Sequence, residues 1–315
     1  MNCYNTLMKY SLRRSLQKID YKKLFYRVLT VSAVLLLVSG YIAYTRLYLT
    51  PERRFWRAIN NSMSTPSVVR STESGGTGNK STEVTRFTYG AQAVQNKISS
   101  VGFKNATAQS NVVTQTMSTP KTQYVRYLSI YSTERKEDGS TYDFSKVVGT
   151  WAKQDESRDK ESIEDQRTTF IQPMVTLIPF GNLSADARNE LLADLRNSGA
   201  FETNYKTATY RESDEGVKYL DIRVKVHTKK YVTILQKYFK MAGYGEFPPL
   251  DPSGYSEAAK VVADFTIDMK RESIVGIAFN EQSESYGNYG VAQHVNIPTK
   301  TVTLGELQKR LQSAQ

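Results

Sequence analysis

Apolar and polar positions alternate along this chain with three different periods, and each period predicts a different kind of element. Near the amino end, Val28 to Thr45 ("VLTVSAVLLLVSGYIAYT") is a run of eighteen uncharged residues fenced by Arg27 and Arg46. As a helix it covers roughly 27 Å, slightly under the apolar thickness of a bilayer. Leu24, Phe25 and Tyr26 before it, and Leu47, Tyr48 and Leu49 after it, extend the apolar length, while the two arginines snorkel. The pattern predicts a transmembrane helix over 24–49.

Further on, the period falls to two. "YLDIRVKVH" puts Leu220, Ile222, Val224 and Val226 on one face and Asp221, Arg223, Lys225 and His227 on the other, which predicts a strand with one buried face. "VVADFTIDM" repeats the pattern with Val261, Ala263, Phe265, Ile267 and Met269 inward, leaving Asp264 and Asp268 on the wet side, and the turn "KRES" leads to "IVGIAF". Between the two, "TKKYVTILQKYFKMAG" has Tyr231, Ile234, Leu235, Tyr238, Phe239 and Ala242 at helical spacing, with Thr228 expected as N-cap and Gly243 as stop.

Weaker patterns fill the remainder. Thr50-Pro51-Glu52 opens a short helix through about Met63, carrying Phe55, Trp56 and Ile59. From Ser67 to Trp151, segments rich in Val, Tyr and Thr ("VVRST", "EVTRFTYGAQAV", "NVVTQTM", "QYVRYLSIY", "KVVGTW") predict an antiparallel meander, the last two joined by a hairpin at Asp138-Gly139. Ser184 is expected to cap a helix ending before Gly199, "SDEG" to turn a hairpin, "SESYGNYG" to form a loop followed by a strand at "VAQHVNI", and Thr303 to Glu306 to form a capping box. The fold class expected is α+β: an N-terminal transmembrane helix, then a large curved antiparallel sheet packed against a few amphipathic helices.

Charge fixes the expected orientation. Seven Lys and Arg against one acid precede the apolar run, and four Arg against one acid follow it, a balance of +6 against +3. Positive residues are retained in the cytoplasm. The expected organisation is therefore a basic cytoplasmic tail over 1–23, the transmembrane helix over 24–49, and an extracytoplasmic domain over 50–315 whose two halves join near 154–168. Cleavage by a signal peptidase is disfavoured, because the one acceptable small-residue trio, Val38-Ser39-Gly40, lies inside the apolar run. The sole cysteine, Cys3, is on the cytoplasmic side and makes no lipobox, so the exported part folds without disulfides. Six of the formal +11 charges sit before residue 46, so the basic composition marks topology and not a nucleic-acid surface.

Candidate chemistry is sparse. "SGGTGNKST" lacks the glycine directly before lysine that a phosphate loop requires, and reads as a flexible loop. The acid-rich connector "KQDESRDKESIEDQRT" lacks the residue order of a calcium loop and reads as solvated. Asp264 and Asp268 are about 13 Å apart along one strand, too far for paired-carboxylate hydrolysis. His227 and His294 stand among strand residues without nucleophile or metal partners. Lys229, Lys230, Lys237 and Lys240 form either a solvated helix face or a patch for anionic polymer. No catalytic residue, metal or cofactor is expected, and the chain is read as non-enzymatic.

The export segment, the "FWRAI" helix, the meander, and "YLDIRVKVHTKKYVTILQKYFKMAG" followed by "VVADFTIDMKRESIVGIAF" together resemble the curved-sheet lipoprotein carriers of bacterial envelopes. That family includes the LolA-type chaperone and the mycobacterial LppX and LprG types, and the match runs from about Pro51 to Leu311. The resemblance implies a half-barrel cupping helices around an apolar cavity. Leu220, Ile222, Val224, Phe265 and Ile267 would line its sheet side, with Leu235 and Phe239 opposite, and lipid or another apolar ligand would lie between. The retained anchor departs from that family, whose members are lipidated or soluble. Two functions are therefore expected: a membrane-anchored binding protein for lipid, or a cell-surface interaction module with a filled core and an envelope protein partner. The bilayer itself is a partner through 24–49.

Overall fold

A computed structural model of the protein describes residues 21–44, 49–76, 78–104, 107–154, 168–291 and 295–314. The acid-rich connector falls almost entirely outside the described residues, as do Cys3 and His294. The chain divides into two units at Arg53 and Arg54.

The first unit contains helix α1 (Tyr21–Ala43). From Phe25 to Tyr41 its apolar side chains are exposed, with Leu36 and Leu37 at 73% and 74%. Among the described residues, no helix is long and apolar enough to cross a membrane.

The second unit is α+β, built on one large, curved, mostly antiparallel sheet of thirteen strands. Helix α2 (Pro51–Ser64) begins at the expected place, with Thr50 Oγ1 accepting from the Arg53 amide at 3.3 Å. Strands β1 (Ser67–Gly76), β2 (Asn79–Thr88), β3 (Val94–Lys104), β4 (Gln109–Ser118) and β5 (Gln123–Ser132) form the meander, each paired with the next. After β6 (Ala152–Gln154) come helix α3 (Ala185–Asn197), short strands β7 (Phe201–Thr203) and β8 (Thr209–Glu212), and long strand β9 (Lys218–His227). Helix α4 (Thr228–Met241), hairpin strands β10 (Lys260–Asp268) and β11 (Ser273–Phe279), and β12 (Gln282–Gly287) follow. The last two elements are β13 (Val302–Thr303) and helix α5 (Leu304–Ala314).

Strand order is β13-β6-β5-β4-β3-β2-β1-β12-β11-β10-β9-β7, with β8 also on β9. Only β13 and β6 run parallel. The two halves of the sequence become one sheet where β1 pairs with β12, from Val69 opposite Gly287 to Glu73 opposite Ser283.

Several local expectations hold. Ser184 Oγ accepts from the Ala187 amide and caps α3, Leu191 and Leu195 are buried, and Gly199 takes the left-handed φ of +67°. Thr303 Oγ1 accepts from the Glu306 amide at 3.1 Å, completing half of the capping box, while the Glu306 carboxylate turns to Arg310 at 2.5 Å. Leu307, with Val147 and Ala152, forms a small second core beneath α5.

Others are corrected. "SESYGNYG" is not a loop throughout, since its first five residues belong to β12, whose pairing on both edges outweighs its polar composition. "SGGTGNKST" is a hairpin, with the β1–β2 ladder running to Gly76 opposite Asn79. "KVVGTW" makes no hairpin with β5, because Val147 is drawn into the core under α5, and Arg135 and Thr141 meet only in an isolated bridge. Thr228 is the first helical residue and not the N-cap, because His227 is still paired with Lys260 in the ladder and the Thr228 amide donates to Ala259 O at 3.0 Å. Asp268 is buried, not wet: its Oδ1 accepts from the amides of Lys270 and Arg271 at 2.8 and 3.0 Å and fixes the β10–β11 turn.

The wet face of the second half is a lattice of ion pairs. Arg223 grips Asp264 through two bonds of 2.7 and 2.9 Å. Glu202 on β7 gathers Lys225 at 2.9 Å, Lys260 at 3.2 Å and the His227 ring at 3.2 Å. Hydrogen bonds from Lys225, Lys260 and His227 pull the Glu202 carboxyl from 4.5 to about 2. A depressed carboxylate stabilises the fold above its unfolded pKa and ceases to do so as pH falls through its folded one. The difference in urea midpoint between wild type and Glu202→Gln is therefore expected to be constant above pH 4.5 and to shrink between about 4.5 and 2. Because Glu202 is exposed, the difference is expected to be small.

Candidate functional site

The alternation in β9 and β10 delivers the predicted apolar residues to one place. Ile222 lies opposite Phe265, and Leu220 opposite Ile267, with Val224 beside Ala263. Helix α4 sets Leu235 and Phe239 in the same cluster, and Phe55 of α2 meets Phe265 edge-on at 5.7 Å. All seven predicted residues come together, and each is 2% exposed or less. Accessible area includes the walls of internal voids, so a chamber wide enough for an acyl chain would appear as exposure on the side chains lining it. The sheet and helices close on one another here.

The concave face changes character across the β1–β12 seam. In β9 to β11 it carries Val, Leu, Ile and Phe, but in β12 to β3 it carries Glu284, Arg70, Thr85, Glu83 and Lys97 beside the buried Val68, Phe87 and Tyr286. Arg70 is 6% exposed, with its guanidinium 3.5 Å from Glu83, 3.9 Å from Glu284 and 5.5 Å from the centre of the Phe87 ring. Its Nε is buried without a hydrogen-bond partner. Lys97 reaches Glu83 at 3.4 Å, Thr85 donates to the same carboxylate at 3.0 Å, and the Tyr286 hydroxyl donates to Glu284. Burial, and after it the Glu284 charge, pushes the Tyr286 phenol well above its ordinary range. A continuous apolar channel along the cup is interrupted by this charged belt.

A surface hollow of about 630 Å³ lies elsewhere. It is bounded by the end of α2, the β10–β11 turn and the residues after β12, and includes Asn61, Ser64, Thr65, Arg271, Ser273, Asn288 and Tyr289. None of the seven apolar residues lines it. Side chains from α2 hold its floor in place. Arg54 Nη1 donates to Met269 O at 3.0 Å, Arg57 pairs with Glu272 at 2.9 Å, and Asn61 Nδ2 donates to Glu272 O at 2.9 Å. The opposite wall is tied by the Gly290 amide to Thr65 Oγ1 at 3.1 Å and by Ser67 Oγ to Val291 O at 2.7 Å. Tyr289 donates to Ile274 O, and burial pushes its phenol up. Within this braced frame the Ser273 hydroxyl, in a residue 4% exposed, has no partner.

Sequence reading identified the "KRES" turn and the Tyr/Gly-rich segment separately but did not bring them together. No local signal shows that Asn61 and Glu272 touch across 211 positions. His227 is tied to Glu202, and three of the four α4 lysines are paired: Lys229 with Glu257 at 2.7 Å, Lys237 with Glu190 and Asp194 at 2.6 Å each, and Lys240 with Glu246 at 2.8 Å. That leaves a neutralised helix face. Among the described residues, no group of three or more His, Cys, Asp or Glu is placed to hold a metal ion.

No protein-family model matches the chain, and no curated protein matches it significantly. Among solved structures it is similar to the crystal structure of LprF from Mycobacterium bovis, with a TM-score of 0.40 and 12% identity, over 79% of this chain and 96% of that one. The likeness is a distant one of fold.

The charged belt generates a prediction. Removing Arg70 leaves Glu284, whose side chain is 9% exposed, buried with its cation gone. Arg70→Ala is expected to lower unfolding free energy by about 3 kcal/mol or more, read from urea denaturation. The double variant Arg70→Met with Glu284→Leu is expected to recover much of the loss.

Proposed function

We propose that this chain is a single-pass membrane-anchored protein, amino terminus in the cytoplasm, whose α+β body acts outside as a non-enzymatic binding module that recognises its ligand at the surface. The apolar run Val28 to Thr45 and the surplus of positive charge before it support the anchor and its orientation. The proposed span, 24–49, extends beyond α1 at its carboxyl end.

The observation that carries the surface reading is the closed space between β9, β10 and α4. Seven side chains that would line a lipid cavity are instead mutually packed, and the concave face beyond them is charged. Holding lipid or another apolar ligand in that space would require α4 to lift from the sheet and expose Leu235 and Phe239. Burial of each such side chain stabilises the closed form by about 1.5–3 kcal/mol. An interaction module with a filled core fits these facts without that rearrangement.

Two measurements test the reading. Protease added to intact cells is expected to digest the body and leave a membrane-retained amino-terminal fragment; protection of the body, or its release into the medium, would overturn the anchor. Mass spectrometry of organic extracts from the purified full-length chain, set against an unrelated membrane protein purified alike, is expected to show no specifically enriched lipid. Stoichiometric recovery of one lipid class would instead place the ligand between sheet and helices.

A further inference from the structure

We propose that the outer face of β2 to β6, turned away from the helices, is a docking surface for an extended phosphodiester polymer that carries no bases. This deepens the surface-binding reading above and rests on it only for the compartment in which the polymer is met.

Strand register builds the face. Arg86 on β2 lies opposite Asn96 on β3, Asn96 opposite Met117 on β4, Met117 opposite Tyr124 on β5, and Tyr124 opposite Lys153 on β6. Phe87 and Val125, next in sequence to two of these, belong to the cores, so this row points the other way. At about 4.8 Å per strand it runs roughly 19 Å from Arg86 to Lys153. With Lys80, Lys104 and Arg126, the outer positions of β2 to β6 hold five cations, and the acid in these strands, Glu83, is on the inner face. Among the described residues none of the five is in an ion pair. On the outer face of β9 and β10, by contrast, Asp264 matches Arg223, and Glu202 matches Lys225 and Lys260.

Arg126 is held ready in this field. Its Nε and Nη2 both donate to Gln115 Oε1, at 2.9 and 2.6 Å, and its guanidinium lies 4.5 Å from the centre of the Trp151 ring. Gln115 Nε2 donates in turn to Asn96 Oδ1 at 2.9 Å. Both amide oxygens are spent within the chain, and the groups left over, Arg126 Nη1 and Asn96 Nδ2, are donors. A surface of donors and positive charge without an acid takes an anion, and a fixed guanidinium suits phosphate oxygens. Because the cations are spread along the sheet and do not converge on one point, the fitting ligand repeats its charge.

Rings and edges narrow the class. Tyr124 is buried and Arg126 covers a face of Trp151, so this surface lacks the free rings on which single-stranded nucleic acid stacks its bases. Strands β2, β3 and β4 are paired along both edges and leave no ladder for a peptide to join. No large apolar side chain of the row is exposed, so nothing here inserts into a bilayer.

The test is calorimetric titration of the full-length chain, in nanodiscs of neutral phosphatidylcholine, with an octamer of poly(glycerol phosphate). The basic amino-terminal tail contributes alike to every variant, so the site is read as the change on substitution. Arg86→Gln with Lys153→Gln is expected to weaken binding about tenfold and to flatten the slope of log affinity against log salt by about 1.4, at about 0.7 per cation. Gln115→Glu gives Arg126 an acid partner; its thermal midpoint is expected to hold or rise while affinity falls about tenfold. A glutamine that only supports the sheet would show no such loss.

Affinity unchanged by these substitutions overturns the proposal, as does failure of the octamer to bind at low salt. An equal loss with octathymidylate, octaglutamate or phosphatidylglycerol vesicles would also overturn it, assigning the face to nucleic acid, acidic peptide or membrane. A body found on the cytoplasmic side would overturn the anchored reading while leaving this titration intact, and a failed titration would leave the topology result intact.

Discussion

The ladder between β1 and β12 is the constraint on which the rest of the second unit depends. Residues 67–132 and residues 201–287 each form a run of neighbouring antiparallel strands, and five residue pairs from Val69–Gly287 to Glu73–Ser283 merge them. Without that seam each run would present a long unpaired edge. With it, α2, which precedes β1 in sequence, packs Phe55 and Ile59 in one core with Phe265 and Ile277, residues more than 200 positions away. The same seam carries the chain from β12 to Gly290, where the amide reaches Thr65 and closes the wall of the hollow.

The seam also separates two kinds of concave surface. On one side the inward positions are aliphatic and aromatic, and the helices fill the space against them. On the other side Arg70, Glu83, Lys97 and threonines share the inward face with Val68, Phe87 and Tyr286, and partial exposure runs along much of β2, β3 and β4. Strands with a polar inner face cannot hold a helix by apolar burial, and the element that does cover part of them, α5, sits over the Val125, Tyr127 and Ile130 end with its own small core. The meander is therefore held mainly by its ladders, and the second half mainly by its core.

How much of this could be read beforehand follows the same division. Where one face is buried and the other wet, as in β9, β10 and α4, the period alone located the elements and the inward residues. Where neither face is deeply buried, period carries little information. β3, where Ile98 is the one apolar residue from Gln95 to Ser100, shows no clear alternation and gives no strand signal, and β12, with Ser283, Glu284 and Ser285, reads as a loop. Both are strands because neighbours on either side supply their hydrogen bonds, which is a property of the sheet and not of the segment. The candidate apolar residues were legible as a set, but whether a set of inward residues encloses a space or fills one depends on how closely α4 approaches, and that distance leaves no trace in the pattern. The hollow was illegible for another reason: its walls come from three turns and helix ends, where polar residues are ordinary.

The filled core limits what the second unit can do without rearrangement. A carrier that must take up and release an apolar cargo needs a core that opens, and opening this one would expose Leu220, Ile222, Phe239 and Phe265 together, each now at 1% or less. The hollow at the end of α2 is framed without any such opening, because the Arg54, Arg57 and Asn61 contacts hold the β10–β11 turn in place. The energetics of the core thus favour the closed form, in which the inward apolar residues of β9 and β10 stay covered by α4.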